Sequence, residues 1–173
     1  MTHRIIAALP QKATGFPVFA YDTETQGLDA TQVLIICWEN VNTGEQYTAF
    51  SVLEFREFLE ERAPCIAYAH NGSSFDVLGI LSERELYEAE KVAAGTKVFE
   101  YKVNGVMYRD SKHLIPLPLS KVAKSVDMEK GITPQEYIDG TVTEITQEAI
   151  DYCLLDVKIL ASALRRLKEL YAD

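Results

Sequence analysis

The stretch "FAYDTETQG", residues 19–27, runs from apolar side chains directly into two acids, Asp22 and Glu24. In an extended strand, alternate side chains share a face, so these two acids point to the same side of the strand. Neighbouring carboxylates raise each other's pKa unless a cation or a shared proton lies between them. The pattern therefore predicts a buried strand over 16–23 that ends at a site where a cation or a shared proton lies between the two acids. The alternative is a strand end that turns into solvent.

The segments around this strand predict an α/β protein. Further strands are expected over 33–40, 45–50, 65–69 and, as a hairpin around Asn104-Gly105, over 97–109. Helices are expected over 51–64, over 75–89 and from Thr146 onward. Three meandering strands followed by helix, strand, helix and a final helix match the ribonuclease-H-like order. We therefore expect a mixed five-stranded sheet flanked by helices.

Composition limits the classes of function. The chain has 173 residues, of which 47% are hydrophobic and 25% charged, which predicts one soluble domain over 1–173. A net charge of -9 argues against a broad basic surface that coats nucleic acid, but it allows a narrow site. No apolar run is long enough to span a membrane, and the apolar core of residues 1–10 is too short for a secretory signal. We therefore expect no membrane partner and a location in the cytoplasm, which is the host cytoplasm if a virus or plasmid encodes the chain. The three cysteines are expected as buried, reduced thiols: Cys37, Cys65 and Cys153.

Two further acids stand out. Asp76 opens the expected second helix, where Ser73-x-x-Asp76 could equally be a capping box. Asp156 falls on the apolar side of the C-terminal helix, and a buried carboxylate is costly unless it is paired or binds a metal. Tyr152 lies one turn earlier on the same face, so its hydroxyl can approach whatever Asp156 holds.

Together, "YDTET" (21–25), "AHNGSSFD" (69–76) and "YCLLD" (152–156) resemble the three motifs of the DEDDy 3'-5' exonucleases. The sequence is most similar to the proofreading domain of family B DNA polymerases, especially the protein-primed branch. The stretch "YRDSKHLIPLPLSKVAK" (108–124) resembles a segment that lines the single-strand path in that branch. Lys130, in "EKGITPQEY", matches a lysine that precedes the motif tyrosine. The turn "HNGSSFD" is one residue longer than the usual form, and nothing resembles a polymerase palm.

The resemblance implies a site of four carboxylates, Asp22, Glu24, Asp76 and Asp156, that hold two divalent cations. Oxygen ligands favour Mg²⁺ or Mn²⁺. In this family, two such ions activate a water and clamp the phosphate. The resemblance also implies that Tyr152 orients the water and that Lys130 adds positive charge near the phosphate.

The expected substrate is the 3' end of single-stranded DNA, cleaved to nucleoside monophosphates. A stand-alone nuclease, a proofreading subunit that acts with a DNA polymerase in trans and an excised domain are all open. Residues that match strand-binding positions of the family are Thr25, His70, Asn71, Phe75, Ser111, Lys112, Lys121 and Lys124. The segment 109–124 carries Arg109 and three of these lysines against one acid, Asp110. This basic run is the expected track for the strand's backbone, and an ordinary solvated loop and helix is the alternative.

Two other functions stay open. An exoribonuclease would use the same acids, because the chemistry is on the phosphate and only contacts to the 2'-hydroxyl separate RNA from DNA. An inactive exonuclease-like module that binds nucleic acid or protein is the second. Such a module has no need to keep a costly buried Asp156.

Overall fold

A computed structural model of the chain describes residues 15–171. Residues 1–10, on which the expectation of no secretory signal rests, lie outside the residues that the structure describes. The strands are β1 Val18–Thr25, β2 Val33–Asn40, β3 Gln46–Ala49, β4 Cys65–Ala69, β5 Glu90–Ala94, β6 Lys97–Val103 and β7 Val106–Asp110. The helices are α1 Val52–Glu60, α2 Asp76–Ile80, α3 Glu83–Glu88, α4 Leu119–Ser125, α5 Gln135–Asp139 and α6 Gln147–Leu170.

All seven strands form one mixed sheet in the order β3-β2-β1-β4-β7-β6-β5. Strands β1, β4 and β7 pair in parallel, and the remaining pairings are antiparallel. The predicted mixed sheet with flanking helices is confirmed. Because the carboxyl ends of β1, β4 and β7 meet at one edge of the sheet, the segments that follow these three strands are brought together.

The expected count of five strands was wrong. The hairpin predicted over 97–109 is present as β6 and β7, with Asn104 and Gly105 at its turn in the left-handed region. Strand β5 then pairs with β6 at the outer edge of the sheet. Most of its side chains are exposed, so β5 has no alternating apolar pattern that would predict a strand from the sequence.

The single helix expected over 75–89 was also wrong. Leu81 is extended and separates α2 from α3. Ser82 then caps α3: its hydroxyl accepts from the Glu85 N–H, while the Glu85 carboxylate accepts from the Ser82 N–H. This reciprocal capping box satisfies backbone groups that a continuous helix would have bonded, which favours a new helix start at this point.

The two faces of the sheet are covered by different helices. Phe19 and Tyr21 of β1 lie in the core that α1 and α2 help to form. Ala20, the alternate residue, lies in the core that α6 covers. The register of β1 therefore directs Asp22 and Glu24 toward α6, the helix that carries Asp156.

The cysteine prediction is confirmed, since Cys37, Cys65 and Cys153 are all buried free thiols. Among residues 15–171, no helix is both long and apolar enough to cross a membrane.

Candidate metal and nucleic-acid site

The two acids of β1 meet a side chain of α6. One carboxylate oxygen each from Asp22 and Glu24, together with the Cys153 sulfur, lie within 4.8 Å of one another. Cys153 Sγ is 4.0 Å from Asp22 Oδ2. An irregularity in the pairing of β1 with β2 falls between Glu24 and Thr25, at the carboxyl end of β1. The predicted pairing of the two acids is therefore present, and the thiol beside them was not predicted.

These carboxylates are strongly destabilised as anions. Burial and the nearby Asp156 carboxylate raise the pKa of Glu24 to about 8. Asp22 keeps some exposed surface, but desolvation and the charges of Asp76 and Glu24 raise its pKa well above the ordinary value. In the absence of a cation, the cluster favours bound protons at neutral pH.

Asp76 is bonded to strand β1 and is not part of a capping box. Its Oδ1 accepts from the backbone N–H of Thr23 at 3.1 Å and from the Thr23 hydroxyl at 2.7 Å. Ser73 makes no capping bond to this helix, so the capping-box alternative is wrong. Burial raises the pKa of Asp76 to about 6, although the bonds from Thr23 work in the opposite direction. Thr23 lies between Asp22 and Glu24, so Asp76 is anchored directly to the acidic strand.

Asp156 is held by Lys130. The side chain of Asp156 is 6% exposed, and its Oδ2 accepts from Lys130 Nζ at 2.6 Å. The same ammonium group donates to the hydroxyl of Tyr152, and the Thr133 hydroxyl lies 2.7 Å from that phenolic oxygen. The structure therefore brings Lys130 to Tyr152 and Asp156, the two residues expected on one face of the C-terminal helix.

The acids fit a divalent cation. Among the described residues, Oδ1 of the buried Asp156 has no hydrogen-bond partner, although a buried carboxylate oxygen normally has one. The pKa values of all four acids are raised, with burial as the first cause. Oxygen donors of this kind suit Mg²⁺ or Mn²⁺. The candidate ligands are first Asp22 and Glu24, which lie within 4.8 Å of each other. Asp76 and Asp156 are near enough for their charges to raise the pKa values of this pair, but they are not part of the group within 4.8 Å.

His70 and Asn71 follow β4 and face the segment after β7. His70 Nδ1 lies 3.0 Å from Ser111 Oγ, and its Nε2 lies 2.7 Å from the Leu117 carbonyl oxygen. Because a carbonyl only accepts, Nε2 carries the hydrogen. Burial lowers the pKa of His70, which favours the neutral ring. Asn71 adopts a left-handed conformation, and its Oδ1 accepts from Lys112 Nζ at 3.3 Å.

The other candidate strand-binding residues differ in exposure. Three lysines are exposed and form no ion pair within the described part of the chain: Lys112, Lys121 and Lys124. Arg109 pairs instead with Glu100, so the basic run is smaller than its sequence indicates. Phe75 is half-buried at the start of α2. The Thr25 hydroxyl is buried and donates to the Gly27 carbonyl oxygen.

Three residues at the site were not predicted. Thr133 and Gly131 follow Lys130 closely in the sequence, and a Cβ on Gly131 would lie 2.9 Å from the Tyr152 ring. Their closeness to Lys130 in sequence was the available signal. Cys153 was predicted only as a buried thiol, and its neighbour Tyr152 was the signal that it faces the site.

No protein-family model matches the chain, and no curated protein matches it. Several solved structures match the chain in fold. The chain is similar to phi29 DNA polymerase complexed with single-stranded DNA, with a TM-score of 0.70 and 19% identity over 91% of this chain and 32% of that one. It also resembles the ternary complex of phi29 DNA polymerase with primer-template DNA and incoming nucleotide (TM-score 0.69, 20% identity, 91% and 32% covered). A third is the family B DNA polymerase of the archaeon Pyrobaculum calidifontis (TM-score 0.61, 18% identity, 90% and 24% covered).

The similarity to these polymerases lies in the fold. The chain spans about a third of the length of the phi29 polymerase chains that it matches, 32%. It spans 24% of the archaeal polymerase.

Proposed function

We propose that this chain is a metal-dependent 3'-5' exonuclease of the DEDDy type, which removes nucleoside monophosphates from the 3' end of single-stranded DNA. The observation that carries the proposal is the contact of Asp22 and Glu24 of β1 with Cys153 of α6, the helix on which Lys130 bonds Tyr152 and Asp156. The charges of Asp156 and Lys130 also act on Glu24. Similarity to polymerases complexed with single-stranded or primer-template DNA supports DNA as the substrate.

In this proposal the four acids Asp22, Glu24, Asp76 and Asp156 hold divalent cations. When bound, Mg²⁺ or Mn²⁺ would acidify a water, neutralise the scissile phosphate and stabilise the leaving oxygen. The reaction is hydrolysis: the oxygen of a water forms a bond to phosphorus, and the bond from phosphorus to the 3' oxygen breaks. The products are a nucleoside 5'-monophosphate and a strand shortened by one nucleotide, with its 3'-hydroxyl protonated.

Tyr152 orients the attacking water and does not deprotonate it. Burial raises the pKa of its hydroxyl further above the ordinary value near 10. A phenol of that pKa is a poor base at neutral pH, but it is a well-placed donor and acceptor. Lys130 and Thr133 fix the position of the oxygen, which limits the motion of any water bonded to it.

Lys130 supplies a positive charge that does not depend on pH in the physiological range. Its bonds to Asp156 and Tyr152 raise its pKa above the ordinary value despite partial burial. A preorganised cation beside the scissile phosphate stabilises charge that develops in the transition state. The exposed lysines of 112–124 lie along the sequence that follows β7, where they attract the phosphates of the approaching strand.

The experiment is cleavage of 5'-labelled single-stranded DNA and of the same sequence as RNA, in Mg²⁺, Mn²⁺ or chelator. The variants are Asp22→Asn with Glu24→Gln, and Asp156→Asn. Asp151→Asn is the matched control, because Asp151 is an exposed acid on the same helix α6. We expect a ladder that shortens from the 3' end and is lost in chelator and in both site variants, but not in the control.

The arms of this experiment separate the alternatives. Faster shortening of the RNA would assign an exoribonuclease. Binding of either strand with no cleavage in any metal would reject the enzyme and leave a binding module. Activity retained in Asp156→Asn would show that the cluster at α6 is not the active site.

A further inference from the structure

We propose that Asp110 is a positioning residue for the nucleic-acid interface. Its carboxylate joins the turn after β4, residues 70–74, to the segment after β7, residues 111–124, and so fixes Asn71 and Lys112 relative to each other. The inference rests on the proposed function, because it concerns how the same protein holds a strand. In the sequence, Asp110 is only the one acid in a basic run, and the structure gives it a different place.

Asp110 is buried, with 5% of its surface exposed, and it ends β7. Its Oδ1 accepts from the backbone N–H of Asn71 at 3.0 Å and of Lys112 at 2.9 Å. Its Oδ2 accepts from the backbone N–H of Ser73 at 3.2 Å and from the Ser73 hydroxyl at 2.6 Å. Both oxygens of one carboxylate are therefore used, and each one bonds the turn after β4.

This arrangement requires a carboxylate. All three backbone groups are donors only, so an acceptor-only side chain satisfies every one of them. An asparagine keeps one oxygen, but its NH₂ group would face N–H donors that it cannot accept from. A hydrogen bond to a charged group contributes more than a neutral one, and a buried donor left unpaired is costly.

The carboxylate also holds a strained turn. Asn71 has φ 70, in the left-handed region, where a non-glycine residue persists only when its surroundings fix it. The bond from its N–H to Asp110 fixes it and leaves the Asn71 side chain to accept from Lys112 Nζ. The His70 contacts with Ser111 and the Leu117 carbonyl close the same junction on its outer side.

Asp110 itself is too buried to contact a strand, so its effect passes through Asn71 and Lys112. Both were selected as strand-binding residues from separate motifs. A displacement of either one weakens the hold on the strand without removing any acid of the metal cluster. The signature of a positioning role is therefore a loss of affinity that exceeds the loss of turnover.

The experiment compares Asp110→Asn, Ser73→Ala and the unchanged protein on a single-stranded oligonucleotide. The KM and kcat are measured in the presence of Mg²⁺, and the Kd of a fluorescent strand is measured in chelator. For Asp110→Asn we expect KM and Kd to rise about tenfold and kcat to change by less than about threefold. Ser73→Ala removes only one of the bonds, and we expect a smaller rise in KM and Kd.

Glu39→Gln is the matched control. Glu39 is a carboxylate as buried as Asp110, and it is bonded to Arg165 and Gln46 away from both segments. The same loss of a buried charge there lowers stability, but KM and Kd stay unchanged. Equal rises of KM in Glu39→Gln and Asp110→Asn would reduce the effect to general destabilisation and overturn the proposal.

Two other results are decisive. If Asp110→Asn folds and its KM and Kd are unchanged, the inference is overturned. If Asp110→Asn does not fold, unchanged KM and Kd in Ser73→Ala overturn it. If the unchanged protein does not cleave but Asp110→Asn raises the Kd, the exonuclease is rejected and the positioning role is supported. The two proposals therefore fail in distinguishable ways.

Discussion

Lys130 Nζ lies 2.6 Å from Asp156 Oδ2 and donates at the same time to the hydroxyl of Tyr152. One ammonium group thus neutralises a buried carboxylate and fixes a phenol on the same helix. The contact joins the loop before α5 to α6, 26 residues apart in the sequence. We therefore expect stability and activity to be linked at this one side chain.

We expect Lys130→Met to lower the free energy of unfolding by about 2 kcal/mol in urea, because a buried carboxylate loses its charged partner. We also expect kcat for strand cleavage to fall about 10²-fold or more, since a preorganised positive charge is removed. Lys158→Met, an exposed lysine of α6, is the control and leaves both quantities unchanged. An unaltered kcat in Lys130→Met would remove this lysine from the site.

The raised pKa values predict an unusual pH dependence of stability without metal. Glu24 shifts from 4.5 to about 8, and Asp76 shifts from 3.8 to about 6, so the folded protein binds more protons than the unfolded chain between these limits. The free energy of unfolding then falls as pH rises, because its slope follows the protons bound by the unfolded state minus those bound by the folded state. In chelator, the melting temperature should fall steadily from about pH 4.5 to pH 8.

Divalent metal should reverse this trend. Cations compete with protons for the same carboxylates, so their binding strengthens as pH rises. We expect Mn²⁺ or Mg²⁺ to raise the melting temperature far more near pH 8 than near pH 5. Asp22→Asn with Glu24→Gln should abolish the metal effect and flatten the pH trend toward pH 8, where Glu24 titrates. A metal effect that is equal at both pH values would contradict the assignment of these acids as ligands.

Gly131→Ala tests the placement of Tyr152. The added Cβ would lie 2.9 Å from Cδ2 of the ring, so the ring must shift. The backbone of Gly131 has an ordinary φ, so a loss of turnover would not come from backbone strain. We expect kcat to fall about tenfold, because the bonds of the hydroxyl to Lys130 and Thr133 are misaligned. Circular dichroism and thermal unfolding should remain close to those of the unchanged protein, and a kcat that is also unchanged would count against Tyr152.

Lys121 and Lys124 are expected to contact phosphates. Both are exposed on α4 and form no ion pair within the described residues. Replacement of both by Gln should reduce the slope of log K against log salt concentration for single-stranded DNA by about 1.4, or about 0.7 for each phosphate that is no longer neutralised. The same double change at Lys91 and Lys168, which are also exposed, should leave the slope as it is. Equal slopes for all three proteins would place the strand elsewhere.

Most of the fold could be predicted because its elements have strong local signals. The alternation around Asn104-Gly105 indicated a hairpin, and the long amphipathic run after Thr146 indicated α6. Strand β5 had no such signal, since it is defined by its hydrogen bonds to β6 and its side chains are mostly exposed. The break between α2 and α3 was missed because the capping box at Ser82 lies within an otherwise helical pattern.

The candidate site was predicted as residue types and not as spatial neighbours. The spacing of Asp22 and Glu24 on one strand indicated a shared face, which the structure has. Spacing along the chain could not show that Thr23 would bond Asp76, 53 residues away. It equally could not show that Asp110 would be buried and bonded to two segments, since that depends on how β4 and β7 pair.

The separation of β1 and α6 along the chain also bears on when the acidic cluster assembles during folding. Asp22 of β1 meets Cys153 of α6 across 131 residues of chain. Such non-local pairings form late, because the intervening loops must first be closed at a cost in chain entropy. During synthesis, the acidic strand emerges from the ribosome long before α6. The growing chain therefore has no assembled cluster until α6 docks on the sheet.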